Sequence, residues 1–286
     1  MIRKAVIPAA GLGTRLLPAT KETPKEMLPL FSRSRRGAVL KPLLQIIYEQ
    51  LYAAGIREFC IITGRTKRAV EDHFTPDENY INFLLKKNKS EQAEELEKFY
   101  RKLENSTVMW VNQPKPKGLG DAVNQARSFT GSEAFIVHAG DTYIHSSRGE
   151  SEIIKRLIEV SEKLQADASF LTKEVKDPRR YGVAETLSLK ENGVYKVVRV
   201  EEKPEIPKSN LAIVPVYVFK PTIYRALEEI DVGKGGETQL TDAIQKLIEW
   251  NKNVYTMKLD KERYLDIGKA ENYLEALTLT FKNSAR

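Results

Sequence analysis

Near its start the chain gathers residue types that handle phosphate. Gly11 and Gly13 are followed at once by Thr14 and Arg15, and Lys25 stands between Pro24 and an apolar Met27-Leu28-Pro29 run. Glycine lets the backbone take positive φ and come close to another group. Successive N–H groups in such a turn form an anion-binding concavity. A hydroxyl, a guanidinium fork and an ammonium complete a donor set suited to phosphate oxygens. Such a set can cradle a triphosphate. Further along, Asp141 follows Gly140 just past the apolar run Ala134 to His138. A carboxylate at the carboxyl end of a buried strand is well placed for Mg²⁺ carried on phosphates. Between Gln113 and Asp121 lies a loop containing Gly118 and Gly120 that opens a helix, another source of free backbone donors.

Each feature also has a plainer reading. Gly-x-Gly alone marks a tight turn, and the loop from Gln113 can be a simple connection. Two familiar phosphate motifs are excluded. No G-x-x-x-x-G-K-[ST] occurs, and the dinucleotide fingerprint fails because position 16 is Leu where Gly or Ala is needed.

The combined string is far more specific than its parts. Gly11-x-Gly13-Thr14-Arg15-x-x-Pro18-x-Thr20, then Pro24-Lys25-x-x-Leu28-Pro29, resembles the signature of sugar-1-phosphate nucleotidylyltransferases, within them the group that transfers uridylyl. The resemblance recurs at Tyr181-Gly182-Val183, Glu202-Lys203-Pro204, Gly236-Glu237-Thr238-Gln239-Leu240-Thr241-Asp242 and Tyr264-Leu265-Asp266-Ile267-Gly268. It therefore covers nearly the full chain. Where the family has Leu-Pro-Asp or Leu-Gly-Asp, this chain has Ala139-Gly140-Asp141, which keeps the aspartate.

The resemblance implies roles residue by residue. Ala10, Gly11, Gly13 and Thr14 would bind the nucleotide. Gln113 and Gly118 would read the uracil edge, where an amide that donates and accepts matches an imide. Tyr181, Gly182, Glu202, Lys203 and Asn210 would bind the sugar. Asp141 and Asp266 would be the ligands of Mg²⁺, the implied cofactor. Arg15, Lys25 and Lys203 would be the catalytic cations. The implied reaction joins UTP and α-D-glucose 1-phosphate to give UDP-glucose and pyrophosphate. The sugar phosphate is already an oxyanion, so positioning and cations suffice without a general base. Thymidylyl transfer, or transfer to another sugar phosphate, would share this cradle. A nucleotide-sugar-binding regulator without turnover would be expected to have lost a cradle cation or a metal aspartate, and none is lost here.

Glu202 and Lys203 raise a geometric question, because adjacent strand residues point to opposite faces. Pro204 ends the ladder and biases Lys203 toward an extended, turning backbone that could bring both side chains to one cleft.

The elements that must position these groups follow from periodicity. Short apolar runs predict strands at Ala5–Ile7, Phe59–Thr63, Thr107–Val111, Ala134–His138, Ala168–Thr172 and Asn253–Leu259. A hairpin is expected around Asn192-Gly193, joining strands near 184–189 and 194–201, and a long strand ends at Phe219. Helical spacing of Leu40, Leu43, Leu44, Ile47 and Leu51 predicts a helix from residue 40 with Pro42 in its first turn, ended by Gly55. Further helices are expected over 65–74, along the stripe Ala93, Leu96, Phe99 or Tyr100, and Leu103, over 149–165, through Leu240 to Ile248, and through Tyr273 and Leu277. Residues 32–39, an insertion relative to the family, read as a mobile basic loop, or alternatively as a lid or subunit contact touching anionic ligand. Strand–turn–helix alternation predicts a parallel sheet. The expected fold is α/β: a doubly wound, Rossmann-like mixed sheet of the nucleotide-diphospho-sugar transferase type with a β-rich sugar-binding insertion. One domain, 1–286, is expected, with 1–165 mainly for the nucleotide and 166–286 for the sugar and the C-terminal helices. Ligands should lie beyond the carboxyl ends of the strands.

Composition narrows the partners. A net charge of +7 raises nucleic acid, but Lys and Arg are interleaved with Glu as on solvated faces, and no zinc finger or RRM pattern appears. The surplus suits attraction of anionic substrates into a cleft. The lone Cys60 excludes an internal disulfide and reads as a core residue; His73, His138 and His145 lack metal-ligand spacing. Absent an 18-residue apolar run or a signal pattern, the expectation is a cytoplasmic protein. Its partners would be UTP and glucose 1-phosphate, with no nucleic acid and no membrane, in a homo-oligomer.

Overall fold

The computed structural model describes residues 2–35, 37–146, 149–188 and 193–284. The chain opens with β1 (Lys4–Pro8), a hairpin of β2 (Pro29–Ser34) and β3 (Gly37–Pro42), α1 (Leu43–Ala53) and β4 (Glu58–Thr63). Next come α2 (Arg68–His73), α3 (Glu78–Lys86), α4 (Ser90–Glu104), β5 (Thr107–Asn112), α5 (Leu119–Gln125), α6 (Arg127–Thr130), β6 (Phe135–His138) and β7 (Thr142–His145). The middle holds α7 (Glu150–Lys163), β8 (Ala168–Glu174), β9 (Gly182–Ser188), β10 (Val194–Glu202) and β11 (Leu211–Phe219). The chain closes with α8 (Thr222–Glu228), α9 (Leu240–Glu249), β12 (Val254–Leu259), β13 (Arg263–Asp266) and α10 (Ala270–Ser284).

A nine-stranded sheet in the order β5-β4-β1-β6-β11-β8-β12-β10-β9 carries the fold. β5, β4, β1 and β6 run parallel. β11 is antiparallel to both β6 and β8, β12 is parallel to β8, and β10 and β9 form an antiparallel edge. The sheet is mixed and doubly wound, as expected. Its central strands are covered on both faces, which is why they read as continuous apolar runs rather than alternating ones. Ala5, Val6 and Ile7 are fully buried. Val6 and Ile7 join opposite halves of the core, one built around Phe135, Phe170 and Phe219, the other around Tyr48, Phe59 and Phe99. Cys60 is fully buried in this sheet, and burial pushes its thiol up to about 12, so it is an inert core residue. Among the described residues no helix is long and apolar enough to cross a membrane.

Several local expectations are corrected. Leu40 lies in β3, is 58% exposed, and is not the first residue of a helix; α1 begins at Leu43. Proline disfavours helical backbone in the residue before it, and here the segment pairs instead with β2. The stretch 32–39 is a paired hairpin and not a loop, with Ser32 opposite Val39 and Arg33 opposite Ala38; residue 36 lies outside the described residues. The helix α10 packs on it: the Phe31 and Phe281 rings are 5.0 Å apart and the Phe31 N–H donates to Thr280 Oγ1. The charged stretch 78–105 holds α3 as well as α4, with Asn88 at φ 57 between them and Asp77 capping α3 through the Tyr80 N–H. The helix α2 starts at Arg68, after Thr66 at φ 74. The hairpin of β9 and β10 forms as expected, with Tyr195 opposite Ser188; Asn192 lies outside the described residues. The strands β7 and β13 and the helix α8 have no counterpart in the periodicity reading. β7 and β13 pair, setting Thr142 opposite Asp266, and this pairing decides the site.

Candidate active site

The carboxyl ends of β5, β4, β1 and β6 lie side by side, and the residues expected to handle phosphate sit on the turns that leave them. After β1 the backbone turns through Gly13 at φ 68 into a single 3₁₀ turn, Thr14–Leu16. The Thr20 hydroxyl donates to the Gly13 carbonyl at 2.7 Å and holds that turn. Ala10 is buried behind it. A Cβ on Gly11 would lie 3.0 Å from Lys25 Nζ, so the missing side chain is what admits the ammonium.

Lys25 sits on its own 3₁₀ turn, Lys25–Met27, and its Nζ reaches Asp141 Oδ2 at 2.5 Å. Arg15 Nη1 reaches Asp266 Oδ2 at 3.1 Å. The two carboxylates come from distant parts of the chain. Pairing of β7 with β13 joins them, and the Ile267 N–H donates to the Asp141 carbonyl at 2.9 Å. Two cations and two anions thus form one cluster at the edge of the parallel strands. Burial opposes charge on Lys25, but Asp141, Glu26 and Asp266 outweigh it and hold its pKa above the ordinary lysine value. Burial likewise opposes charge on Asp141, and Lys25, with help from Arg15, holds its carboxyl below the usual range. Beneath them Glu26 and Lys67, both nearly fully buried, pair at 2.7 Å. Burial pushes the Glu26 carboxyl up against the pull of Lys67 and Lys25.

The loop after β5 forms a second subsite. Gln113 is only 5% exposed, and its backbone N–H donates to the Thr63 carbonyl at 2.7 Å. Its side-chain Nε2 donates to Asp121 Oδ2 at 2.6 Å and to the Gly118 carbonyl at 3.2 Å. The amide was expected to offer a donor and an acceptor together, but both its protons already have protein acceptors. Gly118, at φ 102, and Gly120 lie so close to the segment before α9 that a Cβ on either would sit 2.8 or 2.7 Å from the Thr238 carbonyl. That segment is latched to the loop: the Gly120 N–H donates to Thr238 at 2.9 Å, and the Thr238 N–H donates to Lys117 at 2.7 Å.

A third group gathers where β10 ends. Glu202 accepts from the Thr241 hydroxyl at 2.7 Å and lies 3.4 Å from Lys203 Nζ. Both side chains therefore share one side, but by a route other than the expected one. Lys203 has φ 45, in the left-handed region, not an extended backbone, and its N–H donates to the Tyr181 carbonyl at 2.9 Å. A Cβ on Gly182 would lie 3.0 Å from Glu202 Oε2, so this glycine makes room for the carboxylate. Glu201 pairs instead with Arg199 at 3.0 Å. Asn210 is exposed and lines, with Lys176, Arg179 and Lys208, a cavity of about 610 Å³ whose walls do not include Tyr181, Glu202 or Lys203. The structure does not bring Asn210 to the Glu202–Lys203 pair.

Some participants were not singled out from sequence. Glu26 stood inside the quoted motif yet carried no signal of its burial, and nothing local marks Lys67. Thr238, Thr241 and Asp242 lie in a string that matches the family, but the contacts of Thr238 and Thr241 are long-range; Asp121 meets Gln113 across only eight residues, yet nothing in its type marks that contact. Burial first, and then Glu202, raise the Asp242 carboxyl above its ordinary value. Among the described residues no three His, Cys, Asp or Glu side chains gather into a self-sufficient metal site. Asp141 and Asp266 supply two carboxylates at the carboxyl edge of the parallel strands, beside Arg15 and Lys25. That donor set suits a hard cation that keeps waters and shares substrate phosphates.

Residues 4–283 match the family model described as nucleotidyl transferase. The chain is 42% identical over 285 residues to the UTP–glucose-1-phosphate uridylyltransferase of Bacillus subtilis (strain 168), covering 98% of this chain and 91% of that protein. It superposes with a TM-score of 0.83 on a UDP-glucose pyrophosphorylase solved with UDP-glucose, at 33% identity, covering 99% of this chain and 100% of the other. The UTP-bound enzyme of the same kind from Acinetobacter baumannii gives a TM-score of 0.84 at 30% identity, covering 98% and 93%.

Proposed function

The chain belongs to the nucleotidyl transferase family, and on that premise we propose that it is a UTP–glucose-1-phosphate uridylyltransferase. The observation that carries this reading is the cluster of Arg15, Lys25, Asp141 and Asp266 at the carboxyl edge of the parallel strands. It stands together with the similarity to relatives solved with UTP and with UDP-glucose.

In this reading an oxygen of the glucose 1-phosphate attacks the α-phosphorus of UTP. The bond to the bridging oxygen breaks, and pyrophosphate leaves. The attacking group is already ionised, so the barrier lies in assembling anions and in charge on the phosphates. Lys25 and Arg15 face that charge. Each is now balanced by a carboxylate, and incoming phosphate oxygens offer it a second partner of the same sign. Glu202, an acceptor-only carboxylate, takes sugar hydroxyls, and Lys203 pairs with the sugar phosphate. The loop holding Gln113 and Gly118 receives the uracil. Enzymes of this family generally use a divalent metal; the finer reading is Mg²⁺ held by Asp141 and Asp266, which when bound supplies positive charge to the phosphates. We take the molecule to be a homo-oligomer, supported by exposed Leu274 and Phe281 on α10 and Leu40 on the hairpin beneath it.

The test is pyrophosphate release across four nucleoside triphosphates and several sugar 1-phosphates, with and without Mg²⁺. UTP with glucose 1-phosphate should turn over fastest, and only with the metal. Faster turnover with dTTP, or with another sugar phosphate, would replace the substrate assignment within the same chemistry.

A further inference from the structure

We propose that Asp121 fixes which end of the Gln113 amide meets the base, and thereby sets the preference for pyrimidines that carry a ring N–H over those that carry a ring lone pair. The inference rests on the reading above, in which Gln113 faces the base of UTP.

A primary amide has two N–H donors and one carbonyl acceptor. In Gln113 both donors are committed, to Asp121 Oδ2 at 2.6 Å and to the Gly118 carbonyl at 3.2 Å. A carboxylate and a backbone carbonyl can only accept, so the nitrogen must face them and the oxygen must face away. The contact to Asp121 is charge-assisted, the stronger kind. The residue itself cannot move off: it is 5% exposed, and its backbone is tied to Thr63. Asp121 is equally held, because the turn it stands on is latched through Gly120 to Thr238.

What remains for a ligand is Oε1, to which no side chain or backbone group among the described residues donates. An acceptor there matches the N3–H of uracil or thymine. It opposes the N3 lone pair of cytosine, which would leave two buried acceptors facing each other. Rejection by an unpaired buried polar group is a large source of discrimination. Without Asp121 only the Gly118 carbonyl orients the amide, and a turned amide can present its NH₂ to cytosine. Asp121 is therefore a positioning residue that acts on specificity through Gln113.

The experiment compares kcat/KM for UTP and CTP in wild type, D121A, D121N and Q113A, with glucose 1-phosphate saturating. D121A should narrow the UTP/CTP ratio by about tenfold or more, chiefly through better use of CTP. D121N, whose carbonyl can still accept from the amide, should stay within about threefold of the wild-type ratio. If Q113A narrows the ratio and D121A does not, Asp121 is not the orienting residue while the base-reading role of Gln113 stands. If neither changes it, Gln113 does not read the base and the proposal falls with that reading. Equal loss for both nucleotides in D121A would make Asp121 a structural prop and overturn the proposal. Should D121A fail to fold in a thermal melt, D121S, too short to span to the amide, takes its place with the same expectation.

Discussion

Lys25 and Asp141, and Arg15 and Asp266, show how single residues are held ready. Each charge is balanced by a partner that the proposed chemistry would draw elsewhere, the cations to phosphate and the carboxylates to metal. We predict that Asp141→Asn and Asp266→Asn each lower kcat by about 10²-fold or more with the fold intact. Steady-state kinetics beside a circular dichroism melt checks this, and near-normal turnover in either variant removes that residue from the metal role. At the proposed sugar subsite, Glu202 is half-buried and accepts from Thr241 while Glu201 pairs with Arg199. Glu202→Ala should weaken glucose 1-phosphate binding and blur its preference over galactose 1-phosphate. Lys203→Ala should hurt all sugar phosphates alike, by about 2–4 kcal/mol in kcat/KM, through loss of a charge-assisted contact. Glu201→Ala should do little, and a larger defect there than in Glu202→Ala would show that the wrong glutamate has been placed in the site.

Among the elements, the hairpin of β2 and β3 is the one whose role differs most from its sequence appearance. Serine, arginine and glycine in 32–39 suggest a dispensable loop. Yet the strands pair along their length, and α10 lies on them through Phe31, Phe281, Thr280 and Tyr273, whose hydroxyl donates to the Pro29 carbonyl at 3.0 Å. Replacing 31–40 by a short Gly-Ser turn should therefore lower Tm by several degrees or more. It removes the Phe31 ring from Phe281 and the Phe31 N–H from Thr280, a loss on the order of 2–4 kcal/mol. An unchanged melting curve would return the segment to the status of a free loop. The segment before α9 is a second such case. It looks like a helix start, but through Thr238 it clamps the loop after β5, and Thr241 in the first turn of α9 holds Glu202, so the entry to α9 links the two proposed substrate sites.

For the whole molecule, buried histidine is one source of sensitivity to acid. His138 is 1% exposed; its Nδ1 donates to the Ala139 carbonyl, and burial, opposed by that bond and by Asp141, lowers its pKa from 6.5 to about 4. A depressed histidine pKa means that the unfolded chain takes up the proton first. Stability is therefore complete above about pH 6.5 and declines as pH falls toward 4, where the effect levels off. At about 1.4 kcal/mol per pKa unit, His138 contributes about 3 kcal/mol to this decline. The His73 pKa is lowered in the same direction, again chiefly by burial. Urea melts should show His138→Gln losing about 3 kcal/mol less than wild type between pH 6.5 and 4. Identical losses in the two proteins would mean that other groups carry the acid response.

The sequence by itself determined the parallel strands, their order of glycine-bearing turns and the family resemblance, because those features are written locally. A fully covered strand needs a run of apolar residues, and a phosphate turn needs glycine at Gly13. The residues of the proposed site could be named because the resemblance carries their roles onto matching positions. What only the tertiary structure decided is which of them meet. Arg15 finds Asp266 across 251 positions, and Lys67 finds Glu26 across 41, because strand order and the pairing of β7 with β13 bring those segments together. No periodicity encodes such a pairing, and β7 and β13, four residues each, are too short to announce themselves. The Gln113 amide makes the same point on the smallest scale. Its type allowed either polarity toward a ligand, and the carboxylate of Asp121, placed by the turn into α5, leaves only the acceptor.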